Sequence, residues 1–91
     1  MDITKITKAG SLESNDILII LMPNSNPAVE IQLESIVMEQ FGEQIKKVIR
    51  ETAEQLGIEN AVIKAQDKGA LDYTIVSRLK TAFLRARCDN E

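Results

Sequence analysis

The sequence predicts an α+β fold, a small two-layer sandwich with its elements in the order ββαβα and room for an extra strand at the N-terminal end. Three observations carry this. An unbroken apolar run, Ile17 to Met22, is short and rich in β-branched residues. It reads as a strand. Apolar residues recur at spacings of three and four between about Met38 and Leu56, the signature of an amphipathic helix. Alternating stretches lie on either side of that helix, over Val29 to Val37 and Asn60 to Gln66. Short strands with few helices, each apolar on one side, satisfy their burial by stacking helices on one face of a sheet.

The elements can be justified in order. Ile3 to Leu12 carries a weak pattern. It reads as a strand that turns at Glu13-Ser14-Asn15-Asp16 and pairs with the apolar run, which puts Ser14 on a hairpin turn. Asn and Asp tolerate the backbone angles such turns need. Ile17 to Met22 is bounded by Asn15-Asp16 and Pro23-Asn24 and, being apolar throughout, reads as a strand covered on both faces. Pro23-Asn24-Ser25-Asn26-Pro27 is a loop. In the next strand Ile31, Leu33 and Val37 face one way, and Glu30, Gln32 and Glu34 the other. The short connection predicts that this strand and Ile17 to Met22 form an antiparallel hairpin.

In the central helix Phe41, Ile45, Val48, Ile49, Thr52, Ala53 and Leu56 make the apolar stripe. Gly57 is its expected stop, in the left-handed conformation that ends many helices. Gly42 is a poor helix-interior residue, by roughly 1 kcal/mol against Ala, which moves the expected start toward Phe41 or Gly42. Asn60 to Gln66 sets Ala61, Ile63 and Ala65 against Val62, Lys64 and Gln66, and Asp67-Lys68-Gly69 then turns the chain. The last element, about 72–86, is open between helix and strand. Ile75, Val76, Leu79, Ala82, Phe83 and Ala86 fit a helical stripe with Asp72 as N-cap, while Tyr73, Ile75, Leu79 and Phe83 fit a strand face. Helix is preferred, because Leu, Lys, Ala and Arg dominate from Arg78 onward. The ends, about 1–4 and 88–91, are expected to be flexible.

Composition narrows the function. A chain of 91 residues reads as one domain. It buries only about 60–65% of its unfolded surface, which leaves little room for an enclosed active-site cavity. The formal net charge of −3 disfavours a nucleic-acid binder, which needs a basic face. Aromatic residues are too few and too scattered for base stacking. No stretch approaches the length of a membrane span, and no apolar leader is visible. Cys88 is the single cysteine, so no internal disulfide can form. A cytoplasmic setting is expected.

Few residues offer chemistry. There is no His, so neither Ser14 nor Cys88 has the usual base that would make it a nucleophile. Glu13, Asp16, Glu30 and Glu34 lack calcium-loop spacing and are read as turn and surface residues. Arg78, Lys80, Arg85 and Arg87 make the C-terminal end basic, read first as a solvated face suited to a helix C-terminus and second as a docking patch for phosphates or an acidic partner. What remains is Ser14 itself. A hydroxyl that another enzyme modifies needs only exposure, because that enzyme supplies the base.

Four segments resemble the acyl carrier (gamma) subunit family of bacterial citrate lyase: Ala9-Gly10-Ser11-Leu12-Glu13-Ser14-Asn15-Asp16, Gln40-Phe41-Gly42-Glu43-Gln44-Ile45-Lys46-Lys47-Val48-Ile49, Glu54-Gln55-Leu56-Gly57, and Asp67-Lys68-Gly69-Ala70-Leu71-Asp72. Each is short; their order and spacing together span nearly the whole chain. The pattern is shared more loosely with the carrier subunit of malonate decarboxylase. Tyr73 departs from the smaller residue expected at its position.

The resemblance implies that Ser14 carries 2′-(5″-phosphoribosyl)-3′-dephospho-coenzyme A through a phosphodiester, attached by a prosthetic-group transferase. It implies that the group's thiol holds an acetyl thioester. The alpha subunit exchanges acetyl for citrate, and the beta subunit cleaves the citryl thioester to oxaloacetate and regenerates the acetyl carrier. The chain itself would then be non-catalytic. Carriers of fatty-acid synthesis are four-helix bundles, which the Ile17 to Met22 strand contradicts. A non-covalent interaction module, working through a sheet edge or the basic face, is the competing class. A stand-alone enzyme would need a residue of shifted pKa in a pocket, and no candidate is visible.

Overall fold

The computed structural model describes residues 3–87. The elements are β1 (Thr7–Gly10), β2 (Ile17–Met22), β3 (Val29–Ser35), α1 (Met38–Gln55), β4 (Ala61–Asp67) and α2 (Asp72–Arg87). The expected α+β order therefore holds, with the additional N-terminal strand present as β1. The four strands form one sheet in the order β1-β2-β4-β3. Both helices lie on one face of it, α1 over β3 and α2 over β1 and β2.

The pairing of β2 with β3 expected from their proximity in sequence is not formed. β4 inserts between them, antiparallel to β2 with Ile19 opposite Ala65, and parallel to β3 with Ile31 opposite Ile63. A tight hairpin needs a two-residue turn with positive φ, which the proline-bounded loop does not supply. Instead that loop crosses the end of β4, where Ala61 N–H donates to Ala28 O at 3.1 Å, and Asn24 braces it with a 3.0 Å bond to Ala28 O. Parallel strands need a long crossover, and α1 is that crossover.

The period of two sorts the sheet. Ile17, Ile19 and Leu21 of β2 and Ala61, Ile63 and Ala65 of β4 point at the helices and are buried. Leu18, Ile20 and Met22 point to the open face and are only half-buried. β2 is thus covered on one face, not both; its continuous hydrophobicity reflects its interior place between β1 and β4. Ala61, Ile63 and Ala65 of β4 share one buried core with Ile49, Leu79 and Phe83 of the helices.

α1 begins at Met38, earlier than its glycine implied. Met38 folds back over Gly42: a Cβ there would stand 3.1 Å from the Met38 sulfur, so the missing side chain makes room for the thioether. The helix ends where expected. Gly57, at φ +76°, donates to Glu54 O at 3.1 Å, and Ile58 N–H donates to Ala53 O at 3.0 Å. These two bonds are the Schellman motif, with Ile58 buried as its apolar contact. Phe41 departs from the buried stripe and is 54% exposed.

The last element is a helix. Ile75, Leu79, Ala82, Phe83 and Ala86 form its buried side. Asp72 is the first helical residue, not the cap: Thr74 and Ile75 N–H donate to Leu71 O, and the Asp72 carboxylate accepts from Gln44 Nε2 at 2.9 Å. Ile3, near the N-terminal end, packs into the core and is 4% exposed. Cys88 and the residues after it lie outside the described residues. No helix among the described residues is long and apolar enough to cross a membrane.

Leu79 is fully buried where α2 meets the sheet. Leu79→Ala should therefore lower unfolding free energy by about 2–5 kcal/mol, read as a lower urea midpoint at unchanged slope.

Candidate functional site

Ser14 stands at the tip of the β1–β2 connection, exposed, and its hydroxyl makes no hydrogen bond within the described residues. The backbone around it is held from several sides. Asp16 N–H donates to Glu13 O at 3.1 Å, closing a β-turn in which Asn15 takes a φ of +65°. Asn is among the few residues that tolerate that conformation. Asn15 N–H donates to Lys68 O at 2.8 Å, and Lys68 N–H donates to Asp16 O at 2.9 Å. These bonds extend the β2–β4 pairing past its last pair, Ile17 with Asp67. The turn is thereby an outgrowth of the sheet.

Asp16 holds the base of this turn. Its carboxylate accepts from Arg78 Nε at 2.9 Å and from the Arg78 terminal nitrogen at 3.0 Å, a two-pronged ion pair. It also accepts from Ser11 Oγ and from Ile17 N–H, each at 2.7 Å. Ser11 Oγ in turn accepts from Glu13 N–H at 3.2 Å. The hydrogen bonds from Arg78 are the main reason the Asp16 carboxyl sits low, at about 2 against an ordinary 3.8; burial opposes them, and Ser11 and Ile17 add to them. Asp16 conversely raises the pKa of Arg78.

Gly10 makes this closure fit. It sits at φ +96°, and a Cβ there would collide with the carbonyl oxygen of Ile17 and come within 3.3 Å of Arg78 Cδ. The chain can therefore leave β1 close against β2 and under the arginine only without a side chain.

A second aspartate fixes the other side of the same sheet end. Asp67 is 2% exposed. It accepts from Ser35 Oγ at 2.8 Å, Gly69 N–H at 3.1 Å and Ala70 N–H at 3.0 Å. Ser35 Oγ accepts from Val37 N–H at 3.0 Å. The end of β3, the start of α1 and the loop into α2 are thus bound together beside the Ser14 turn.

The other candidates scatter. Glu13 is exposed on the turn, Glu30 is near the β2–β3 loop where Asn24 Nδ2 reaches it, and Glu34 accepts from Gln66. Among the described residues no group of three or more acidic, histidine or cysteine side chains could hold a metal ion. The basic residues divide as well. Arg78 serves Asp16, Arg85 donates to Lys8 O at 2.7 Å, and Arg87 lies 5.7 Å from the Phe83 ring centre.

Reading the sequence located Ser14 on its turn but missed the supports. By sequence alone Asp16 reads as a turn former and Arg78 as part of a solvated face. The available signal was the Gly10-Ser11 pair five and six residues before an aspartate that opens a strand; Arg78, far along the chain, had none.

The family profile described as malonate decarboxylase delta subunit (MdcD) matches residues 4–86. Relatives named citrate lyase acyl carrier protein include those of Halothermothrix orenii, 48% identical over 94% of this chain and 90% of the relative, and Streptococcus mutans serotype c, 51% identical over 94% and 84%. Citrate lyase acyl carrier protein 2 of Salmonella typhimurium is 45% identical over 94% and 89%. The fold is similar to a chain in the crystal structure of a Pseudomonas malonate decarboxylase hetero-tetramer in complex with malonate. The TM-score is 0.82 at 17% identity, over 94% of this chain and 88% of that one.

The lowered Asp16 pKa stabilises the fold above the unfolded value of 3.8, and that contribution fades as pH falls toward 2. The full shift corresponds to about 2 kcal/mol. Arg78 is 39% exposed, so solvent screening brings the expected effect nearer ~1 kcal/mol. Asp16→Asn should lose about that much at pH 7, and its urea midpoint should be flatter than the parent's between pH 4 and 2.

Proposed function

Because the chain belongs to the citrate lyase acyl carrier protein family, we propose that it works by carrying 2′-(5″-phosphoribosyl)-3′-dephospho-coenzyme A covalently on Ser14 Oγ. The observation that supports this most directly is the exposed, unbonded hydroxyl at the tip of a turn whose neighbours are all tied down. The residues present fit such a group. Nothing has to be broken to substitute Ser14 Oγ, and nothing buries it. Arg78 compensates the charge of Asp16, so a phosphodiester on Ser14 would not face an unpaired anion at the turn's base.

When bound, the group supplies a thiol that holds an acyl unit as a thioester. The chain supplies the anchor and its placement. Ser14 needs no base from its own chain, because the prosthetic-group transferase deprotonates the hydroxyl during attachment. Tethering then replaces diffusional encounter with an effective concentration on the order of millimolar. On this reading the chain is non-catalytic alone and serves citrate lyase in the cytoplasm, presenting the thioester to the alpha subunit for transfer and to the beta subunit for cleavage.

The carrier of a malonate decarboxylase-type complex is the second reading. It is favoured by the family profile and by the fold of the Pseudomonas chain. Identity of 45–51% to the citrate lyase carriers against 17% to that chain supports the first. Reconstitution separates them: the loaded carrier should restore citrate cleavage to citrate lyase alpha and beta subunits, and not malonate decarboxylation to the corresponding subunits.

Protein produced with its transferase should show a phosphate-containing adduct by intact mass, localised to Ser14 by fragmentation. Ser14→Ala should abolish the adduct and citrate cleavage by the reconstituted complex while leaving the unfolding free energy within about 0.5 kcal/mol of the parent, as for surface substitutions elsewhere. Unmodified protein from that host, or full function in Ser14→Ala, would overturn the carrier reading in favour of a non-covalent interaction module.

A further inference from the structure

An apolar groove of about 390 Å³ runs between the first turns of α1 and the loop into α2. Val37, Phe41 and Ile45 form one wall, and Ala70 and Leu71 the other. Phe41 is 54% exposed and Leu71 59%, so two large apolar side chains on opposite elements meet solvent at one place. Ile36, 66% exposed, lies near Gly69 at the groove's edge. Scattered exposed apolar residues need no explanation, but a cluster that lines a concavity does. The volume falls within the range of small-molecule sites.

The groove is continuous with the Ser14 turn. The loop that forms its second wall is the one whose Lys68 exchanges backbone hydrogen bonds with Asn15 and Asp16. Gly69 is the junction: a Cβ there would stand 3.7 Å from Asn15 Oδ1 and 3.9 Å from Ile36 Cδ1. Asp67 secures the same loop through Gly69 and Ala70 N–H. The wall and the anchor turn therefore keep a fixed spacing.

We propose that this groove receives the uncharged outer part of the arm attached to Ser14, its pantetheine segment and the acetyl group beyond it, whereas the two carboxylates of a citryl group keep that form outside. The inference rests on the carrier reading above. Three features select this occupant. A group tethered beside the groove has an effective concentration on the order of millimolar, so even a weak contact is populated. The walls are apolar, matching the geminal methyls and methylene chain of pantetheine. The rim carries the Gln44 amide donating to the Asp72 carboxylate at 2.9 Å, polar partners for the arm's amides. The same carboxylate disfavours phosphate, so the nucleotide end stays out at the turn. The contact shelters the thioester between visits and yields when a subunit offers a better site.

The test uses the full chain, labelled with carbon-13 and nitrogen-15 and loaded by its transferase from an unlabelled precursor. Isotope-filtered NOEs should connect the arm's geminal methyls to Phe41 and Leu71, and loading should shift the amides of Phe41, Ile45, Ala70 and Leu71 as well as those of the turn. Both Phe41→Asp and Leu71→Asp change exposed side chains. They should load fully by intact mass, keep a dispersed amide spectrum and lose these NOEs. A full adduct with shifts confined to residues 11–17 would overturn the groove assignment and leave the carrier reading standing, as would groove shifts that arise only on adding the alpha or beta subunit. Absence of any adduct would overturn both.

Discussion

The Asp16 carboxylate is the constraint on which the Ser14 turn depends. It gathers the Ser11 hydroxyl, the Ile17 amide and both prongs of Arg78. One group thereby joins the exit of β1, the entry of β2 and the middle of α2. The pair is partly screened, and a screened ion pair alone is worth little. Its weight comes from geometry: the two-pronged arginine fixes an orientation as well as a distance. Gly10 is the steric counterpart, since a side chain there would collide with the Ile17 carbonyl that the closed turn brings over it. Asp67 repeats the device on the neighbouring strand, so the whole sheet end is pinned by two aspartates whose acceptors are used by backbone and hydroxyl donors.

The division between what could be read in the chain and what could not follows from the range of the interactions. Local patterns were legible. The Ile17 to Met22 run, the alternation about Ile63, and Gly57 as a helix stop each depend on neighbours a few residues away. The final helix was legible from the propensities of its Leu, Ala, Lys and Arg. Strand neighbours were not. A period of two says which face a strand buries but not which strand lies beside it. The expected β2–β3 hairpin is not formed because β4, brought back by the α1 crossover, takes the place between them. The Asp16–Arg78 pair was hidden for the same reason, being made across 62 positions of sequence. Met38 lying over Gly42 reversed a propensity argument, because tertiary fit outweighs roughly 1 kcal/mol of helix cost.

At the candidate site the turn and its serine were legible, while the groove was not. Phe41 fits the helical stripe and was expected in the core. It is exposed because it lies near the N-terminal end of α1, where β3 has ended and the chain is already turning at Ile36 and Val37. Periodicity assigns a side to each residue but does not say how far along the helix the sheet extends beneath it. The chemistry of the group proposed for Ser14 was not written in composition or spacing at all and entered only through the resemblance of whole segments.

The pattern of bonds around Ser14 bears on how a carrier can be recognised in two states. Ser11, Glu13, Asn15, Asp16 and Ile17 all contribute a polar group to the turn's framework, and the Ser14 side chain contributes none. Substituting that oxygen therefore removes no contact on which the fold relies. On the carrier reading, the transferase and the lyase subunits meet the same scaffold before and after loading, and they distinguish the states by the arm alone. The Arg78, Ser11 and Ile17 donors hold the Asp16 carboxyl below its ordinary value, so the framework keeps its charge into acid where a free aspartate would lose it. On that reading a scaffold indifferent to its cargo leaves discrimination to the surfaces the arm would reach, and the Phe41–Leu71 groove is walled by the same loop that holds the Ser14 turn.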